Sequence, residues 1–125
     1  MKINTILIVD DSKTSQMIIK RCFDIAGYAD VEYFFAGDGI EALQVLEETT
    51  VDLLVTDLNM PNCDGMTLIE KITANSNTNG LKIIVVSSIA GNAYNEKSEA
   101  VLGSINKPLS PKKIIEVLGV NSCLS

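Results

Sequence analysis

The sequence predicts an open α/β sandwich, a parallel five-stranded sheet with helices on both faces, and three observations lead there. Short apolar runs recur along the chain, each followed by a helix-start or turn signal. Those runs are continuous rather than alternating, a pattern that only burial on both faces of a sheet tolerates. The stretches between them carry apolar residues at the three- and four-residue spacing of amphipathic helices. A chain of 125 residues has room for one domain, expected over residues 1–125 with no output domain, and can bury roughly two-thirds of its unfolded surface. In this architecture ligands bind beyond the carboxyl ends of the strands, so the polar residues at strand exits are the candidates for function.

The elements follow in order. Ile6-Leu7-Ile8-Val9 is a β-branched run closed by Asp10-Asp11-Ser12, a buried strand leading into a helix start. The helix should run to about Ala26, with Ile18, Ile19, Cys22, Phe23, Ile25 and Ala26 inward and Gly27 as its C-terminal cap. Residues 31 to 35 form the second strand, and Asp38-Gly39-Ile40-Glu41 resembles a capping box that opens the helix of Ala42, Leu43, Val45 and Leu46. Leu53-Leu54-Val55-Thr56 is the third strand; Asp57 stands at its exit, and Pro61 and an Asn-Cys-Asp-Gly turn follow. A third helix begins near Asp64-Gly65 and turns Met66, Leu68, Ile69 and Ile72 inward. After the polar tract 75–80, Leu81 to Val86 is the fourth strand, ending in Ser87-Ser88. A more polar helix is expected from about Asn92 to Leu102, and Ile105 marks a weak fifth strand with Lys107-Pro108 at its exit. Ser110-Pro111 supplies an N-cap and a first-turn proline for the last helix, which Gly119 should end.

Composition narrows the function classes. The chain is 46% hydrophobic and 21% charged, and its apolar runs fall far short of the roughly 20 residues a membrane helix needs. Membrane insertion is not expected. The N-terminus shows no secretory signal pattern, so a cytoplasmic location is expected. A net charge of −6 disfavours direct nucleic-acid binding. Cys22, Cys63 and Cys123 show no CxxC spacing, which indicates neither a disulfide framework nor a zinc site. Histidine is absent, so triad-type nucleophile activation is excluded. Chemistry must rest on carboxylates, hydroxyls, amines or a metal held by oxygen.

The strand exits carry those groups. Asp10 and Asp11 follow the first strand, Asp57 the third, Ser87 the fourth and Lys107 the fifth, all at one edge of the sheet. Asp57 is the expected reactive centre. Carboxylates at 4 Å repel by about 4 kcal/mol per pair at an effective dielectric of 20, so three together call for a cation. Oxygen-only ligands select Mg²⁺ or Mn²⁺.

With Val9-Asp10-Asp11-Ser12, the stretch from Thr56 to Gly65, Val86-Ser87-Ser88 and Lys107-Pro108 in this order and spacing, the chain resembles a receiver domain of bacterial two-component response regulators, most closely the stand-alone chemotaxis type. The resemblance covers essentially the whole chain and implies a flavodoxin-like (βα)5 sheet of order 2-1-3-4-5. It implies that Asp57 accepts a phosphoryl group from a histidine kinase or a histidine phosphotransfer protein. Mg²⁺ would be held by Asp11, Asp57, the main-chain carbonyl of Asn59 and, through water, Asp10. Ser87 and Lys107 would bind phosphoryl oxygens. Ile89 and Asn59 would tune the access of water, and the output face would be formed by the fourth helix, fifth strand and fifth helix. The chain departs from the chemotaxis type at Ser104, where that type carries an aromatic residue, and in a Ser87-to-Lys107 spacing about two residues shorter. The alternative is a phosphatase of the haloacid-dehalogenase-like class with Asp57 as nucleophile. Those enzymes usually carry a second acid two positions on, where this chain has Asn59.

Overall fold

The computed structural model describes residues 3–57, 65–74, 81–87, 101–107 and 109–122. Its strands are β1 (Thr5–Val9), β2 (Glu32–Ala36), β3 (Leu53–Asp57), β4 (Lys82–Ser87) and β5 (Val101–Asn106), and its α-helices are α1 (Lys13–Phe23), α2 (Gly39–Glu48), α3 (Gly65–Ala74) and α4 (Pro111–Ser122). The strands pair in parallel in the order β2-β1-β3-β4-β5, the order the resemblance implies.

Successive side chains of a strand point to opposite faces, and the apolar runs divide accordingly. Leu7, Val9, Leu54, Ile83 and Val85 face one layer with Ala42 of α2 and Leu68, Ile69 and Ile72 of α3. Ile6, Ile8, Leu53, Val55, Ile84 and Val86 face the other with Ile19, Cys22 and Phe23 of α1 and Ile114 and Leu118 of α4. Burial on both sides is why β1, β3 and β4 read as unbroken apolar runs. At the other end of the sheet from the strand exits, Asp52 Oδ2 accepts the main-chain N–H groups of Asn4 (2.9 Å) and Thr5 (3.1 Å) and ties the start of β1 to β3.

Local signals set most boundaries. Ser12 caps α1 by accepting the Ser15 N–H, and Asp38 caps α2 by accepting the Glu41 N–H at 2.8 Å. The Glu41 carboxylate reaches back to the Gly37 N–H, also at 2.8 Å. Ser110 Oγ accepts the Lys113 N–H at 3.3 Å at the start of α4.

Four expectations need correction. Ile18 and Ile25 are exposed, at 52% and 66%. The inward stripe of α1 is Gln16, Ile19, Cys22 and Phe23; Ile18 and Ile25, two helical turns apart, share the outward face of the same run, which kinks at Gly27, where φ is +113°. The helix expected from Asn92 to Leu102 cannot include its last two residues, because β5 begins at Val101; residues 92–100 lie outside the described part. Beside Ile83 and Ile84 the β4–β5 register slips by one residue, from Val101 to Gly103, which leaves Leu102 as the extra residue of a bulge on β5. Gly119 does not end α4, which continues to Ser122; in a helical backbone a glycine costs only about 1 kcal/mol against alanine.

Candidate functional site

Sheet register brings the site together before any side chain is considered. Val9 of β1 lies opposite Thr56 of β3, so Asp10, the next residue, leaves the sheet beside Asp57. Asp57 in turn lies opposite Val86 of β4, and Ser87 opposite Asn106 of β5, so Lys107 leaves the neighbouring edge strand at the same level. Four strands thus deliver their carboxyl-terminal residues to one crevice.

The side chains converge there. One carboxylate oxygen from each of Asp10, Asp11 and Asp57 lies within 4.8 Å of the others. Asp10 is 1% and Asp57 7% exposed, whereas Asp11 is exposed and leaves the cluster open to solvent on one side. Lys107 Nζ spans the two buried acids, donating to Asp57 Oδ2 at 3.0 Å and Asp10 Oδ2 at 3.2 Å. Partial burial pulls the pKa of its ammonium down, but the hydrogen bonds and charges of Asp57, and then those of Asp10, outweigh that and leave it raised above the ordinary lysine value. Lys107 is therefore a fixed cation at neutral pH. Three carboxylates against one ammonium leave the pocket net negative, and its all-oxygen donor set, open on one side, suits a hard divalent cation that keeps part of its water.

The sequence expectations map onto this geometry unevenly. Asp10, Asp11, Asp57 and Lys107 are brought together. Ser87 ends β4 at the same edge by its main chain, and its side chain is outside the described part, as are Asn59 and Ile89. Ser104 is exposed on β5, while the neighbouring Gly103 backs onto α4, where an added Cβ would meet Val117 at 3.4 Å.

Two supporting residues escaped the sequence reading. Gln16 Nε2 donates to the Asp10 carbonyl at 2.8 Å and the Ala36 carbonyl at 3.2 Å. The available signal was its spacing, since it stands three and seven positions before Ile19 and Phe23, on the inward stripe where an apolar residue is the default. Thr56 is fully buried and its hydroxyl donates to the Asp57 carbonyl at 2.9 Å. Its signal was a hydroxyl within an otherwise apolar strand.

Comparison with known proteins identifies the family. A family model for the response regulator receiver domain matches residues 6–119. Chemotaxis protein CheY1 of Helicobacter pylori is 34% identical over 125 residues, covering 93% of this chain and 98% of its own. The chemotaxis protein CheY homolog of Campylobacter jejuni is 35% identical over 126 residues, covering 94% of each. The CheY-like receiver domain from Methylobacillus flagellatus superposes with a TM-score of 0.80 over 95% of this chain and 98% of that one; at 20% identity it speaks to the fold alone. A family match of this extent sets aside the phosphatase alternative. An acid pocket built at the exits of β1 and β3, bridged by a lysine from β5 and carried on this sheet order, places the chain among the CheY-like response regulator receiver domains, which are phosphoacceptor signalling modules rather than enzymes with a small-molecule substrate.

Proposed function

We propose that Asp57 is the phosphoacceptor and that the whole chain acts as a single receiver, taking a phosphoryl group from a histidine kinase or histidine phosphotransfer protein in the cytoplasm and passing the signal to a separate protein. The observation that supports this most directly is the placement of Asp57: last residue of β3, 7% exposed, with an acid pair on one side and Lys107 at 3.0 Å on the other. A phosphohistidine offers a high-energy N–P bond; an Asp57 oxygen would attack the phosphorus in line, forming an O–P bond as the N–P bond breaks and the imidazole leaves. Little covalent work is asked of the protein beyond positioning and charge neutralisation.

Each residue has a part in that. Thr56 holds the main chain of Asp57 through its hydroxyl, which steadies the nucleophile. Lys107, already hydrogen-bonded to Asp57, would follow the charge onto a phosphoryl oxygen as a point cation, and Ser87 would donate to another. Asp10, Asp11, Asp57 and the main-chain carbonyl of Asn59 would hold Mg²⁺, or Mn²⁺ in its place, which when bound supplies neutralisation of the transferring oxygens.

The downstream protein would meet the face formed by the helix expected between β4 and β5, by β5 and by α4, the last helix. A new dianion bonded better by one arrangement of the surrounding loops shifts the population toward it. With a serine at position 104, that shift would not be reported through an aromatic side chain on β5.

The test is incubation with acetyl phosphate and Mg²⁺ followed by intact mass spectrometry. One added phosphoryl group is expected, absent from Asp57→Asn; unchanged modification of that variant would overturn the assignment.

A further inference from the structure

Gln16 is a polar side chain on the inward stripe of α1 and only 9% exposed. A buried amide without partners is costly, and the donors of this one are spent on main chain: Nε2 donates to the carbonyls of Asp10 (2.8 Å) and Ala36 (3.2 Å). The Ala36 carbonyl also accepts the Asp10 N–H at 3.0 Å, and Asp10 Oδ1 accepts the Ser12 N–H at 2.9 Å. Asp10 is thereby held at its amide by β2, at its carboxylate by the start of α1 and at its carbonyl by Gln16.

The carbonyl that Gln16 holds belongs to the peptide joining Asp10 to Asp11. Peptide groups are planar, so fixing the direction of that carbonyl fixes the Asp11 N–H and the direction in which the Asp11 Cα leaves. Asp11 is the exposed member of the acid cluster, and its main chain has this peptide on one side and the Ser12 N–H, donated to Asp10, on the other. Without the Gln16 donor, the Asp10–Asp11 peptide could turn and carry the Asp11 carboxylate away from the other two.

We propose that Gln16 is a positioning residue of the acidic site: by holding the Asp10–Asp11 peptide it sets the Asp11 carboxylate for a divalent cation. This rests on the reading of Asp10, Asp11 and Asp57 as a cation site. Gln16 touches neither cation nor phosphoryl group and acts only through the main chain of the ligands.

The experiment is an NMR titration of the ¹⁵N-labelled protein with MgCl2, comparing wild type, Gln16→Met and Cys22→Ala. Methionine keeps the length of the side chain and removes the donor. Cys22→Ala loosens packing on the same stripe without touching the Asp10–Asp11 peptide. Gln16→Met is expected to raise the Mg²⁺ dissociation constant about tenfold, the usual scale for losing a group that orients a metal ligand, and to move the Asp11 amide resonance of the metal-free protein. Cys22→Ala is expected to lower the melting temperature and leave the dissociation constant at the wild-type value. A folded Gln16→Met with wild-type Mg²⁺ affinity, or an equal loss in both variants, overturns the proposal while the cation site itself stands. A wild type that shows no Mg²⁺-dependent shifts overturns the reading of the site and this inference with it. Should Gln16→Met not fold, wild type decides: the Gln16 side-chain amide protons must exchange slowly with solvent, and exchange at the rate of a free glutamine overturns the proposal.

Discussion

Lys107→Met removes the ammonium that spans the two buried acids and keeps most of the alkyl stem. At 3.0 and 3.2 Å, the two attractions are each about 5 kcal/mol in gross terms at an effective dielectric of 20. The repulsion they offset, between carboxylate oxygens no more than 4.8 Å apart, is at least about 3.5 kcal/mol on the same scale. Most of the gross attraction is cancelled by desolvation, and the lysine side chain is 27% exposed, so water screens part of what remains. Breaking a buried pair from one side costs about 3–5 kcal/mol; discounted for that exposure, a loss of about 2 kcal/mol is expected. Urea unfolding in EDTA of wild type, Lys107→Met, Asp57→Asn and the double variant measures it. The cycle should show a coupling of about 1 kcal/mol or more, because neutralising Asp57 costs an ion pair in wild type and only relieves repulsion once Lys107 is gone. A loss under about 0.5 kcal/mol, or additivity within about 0.5 kcal/mol, would refute the placement of Lys107 between the acids.

Three further outcomes are expected. Millimolar Mg²⁺ at low ionic strength should raise the melting temperature, by an amount equivalent to about 2.7 kcal/mol when free Mg²⁺ is 100-fold above its dissociation constant, and Asp11→Asn should blunt the effect; a melting temperature indifferent to Mg²⁺ would show that the acids do not meet. The raised pKa of Lys107 contributes stability that is fully present below the unfolded lysine value of about 10.4 and is lost as pH rises through the folded value. The urea midpoint of wild type should therefore fall more steeply above about pH 10.4 than that of Lys107→Met, and parallel curves would contradict the ion pairs. Asp38→Ala, which deletes the acceptor for the Glu41 N–H at the start of α2, should cost about 1 kcal/mol and leave phosphorylation unchanged.

The parts of the fold that were legible in the sequence are those fixed by short-range chemistry. Ile6 to Val9 and Ile83 to Val86 announce buried strands because burial on both faces permits nothing but apolar side chains. Ser12, Asp38 and Ser110 announce helix starts because free N–H groups need an acceptor within three residues. Asp10, Asp11, Asp57 and Lys107 could be placed on one edge because a parallel sheet sends every strand exit the same way. What could not be read depends on shape over a longer range. Ile18 and Ile25 share an outward helix face, and their apolar character alone did not separate them from the inward stripe. The bulge that lets β5 begin at Val101 is a register property of two strands, invisible in either alone. Gln16 was missed because its partners are main-chain carbonyls, which every residue has.

The acids show why position at a strand exit, rather than residue type, separates function from structure in this chain. Asp52 and Asp57 flank the same strand. Asp52, at its start, accepts two main-chain N–H groups from Asn4 and Thr5 and so braces β1. Asp38 caps α2, Glu41 reaches back to Gly37, and Asp24 pairs with Lys20 one helical turn away at 3.1 Å. Asp38, Glu41 and Asp24 have partners within four residues, and Asp52 is spent on main-chain N–H groups that every strand start exposes. Asp10 has a near partner too, in the Ser12 N–H, but that uses Oδ1 and leaves Oδ2 turned to Lys107. The α1 cap that Asp10 or Asp11 could have supplied is supplied by Ser12 instead. Helix capping therefore does not explain the acid pair, and it explains Asp57 even less, since the partner of its Oδ2 is a lysine fifty positions away at the end of another strand. A fold that needed only stability would gain from replacing one of three mutually repelling, partly buried carboxylates with a neutral residue. Three such carboxylates around a lysine with a raised pKa make sense under the proposed function, in which the compensating charges would come from outside, first a cation and then a phosphoryl group.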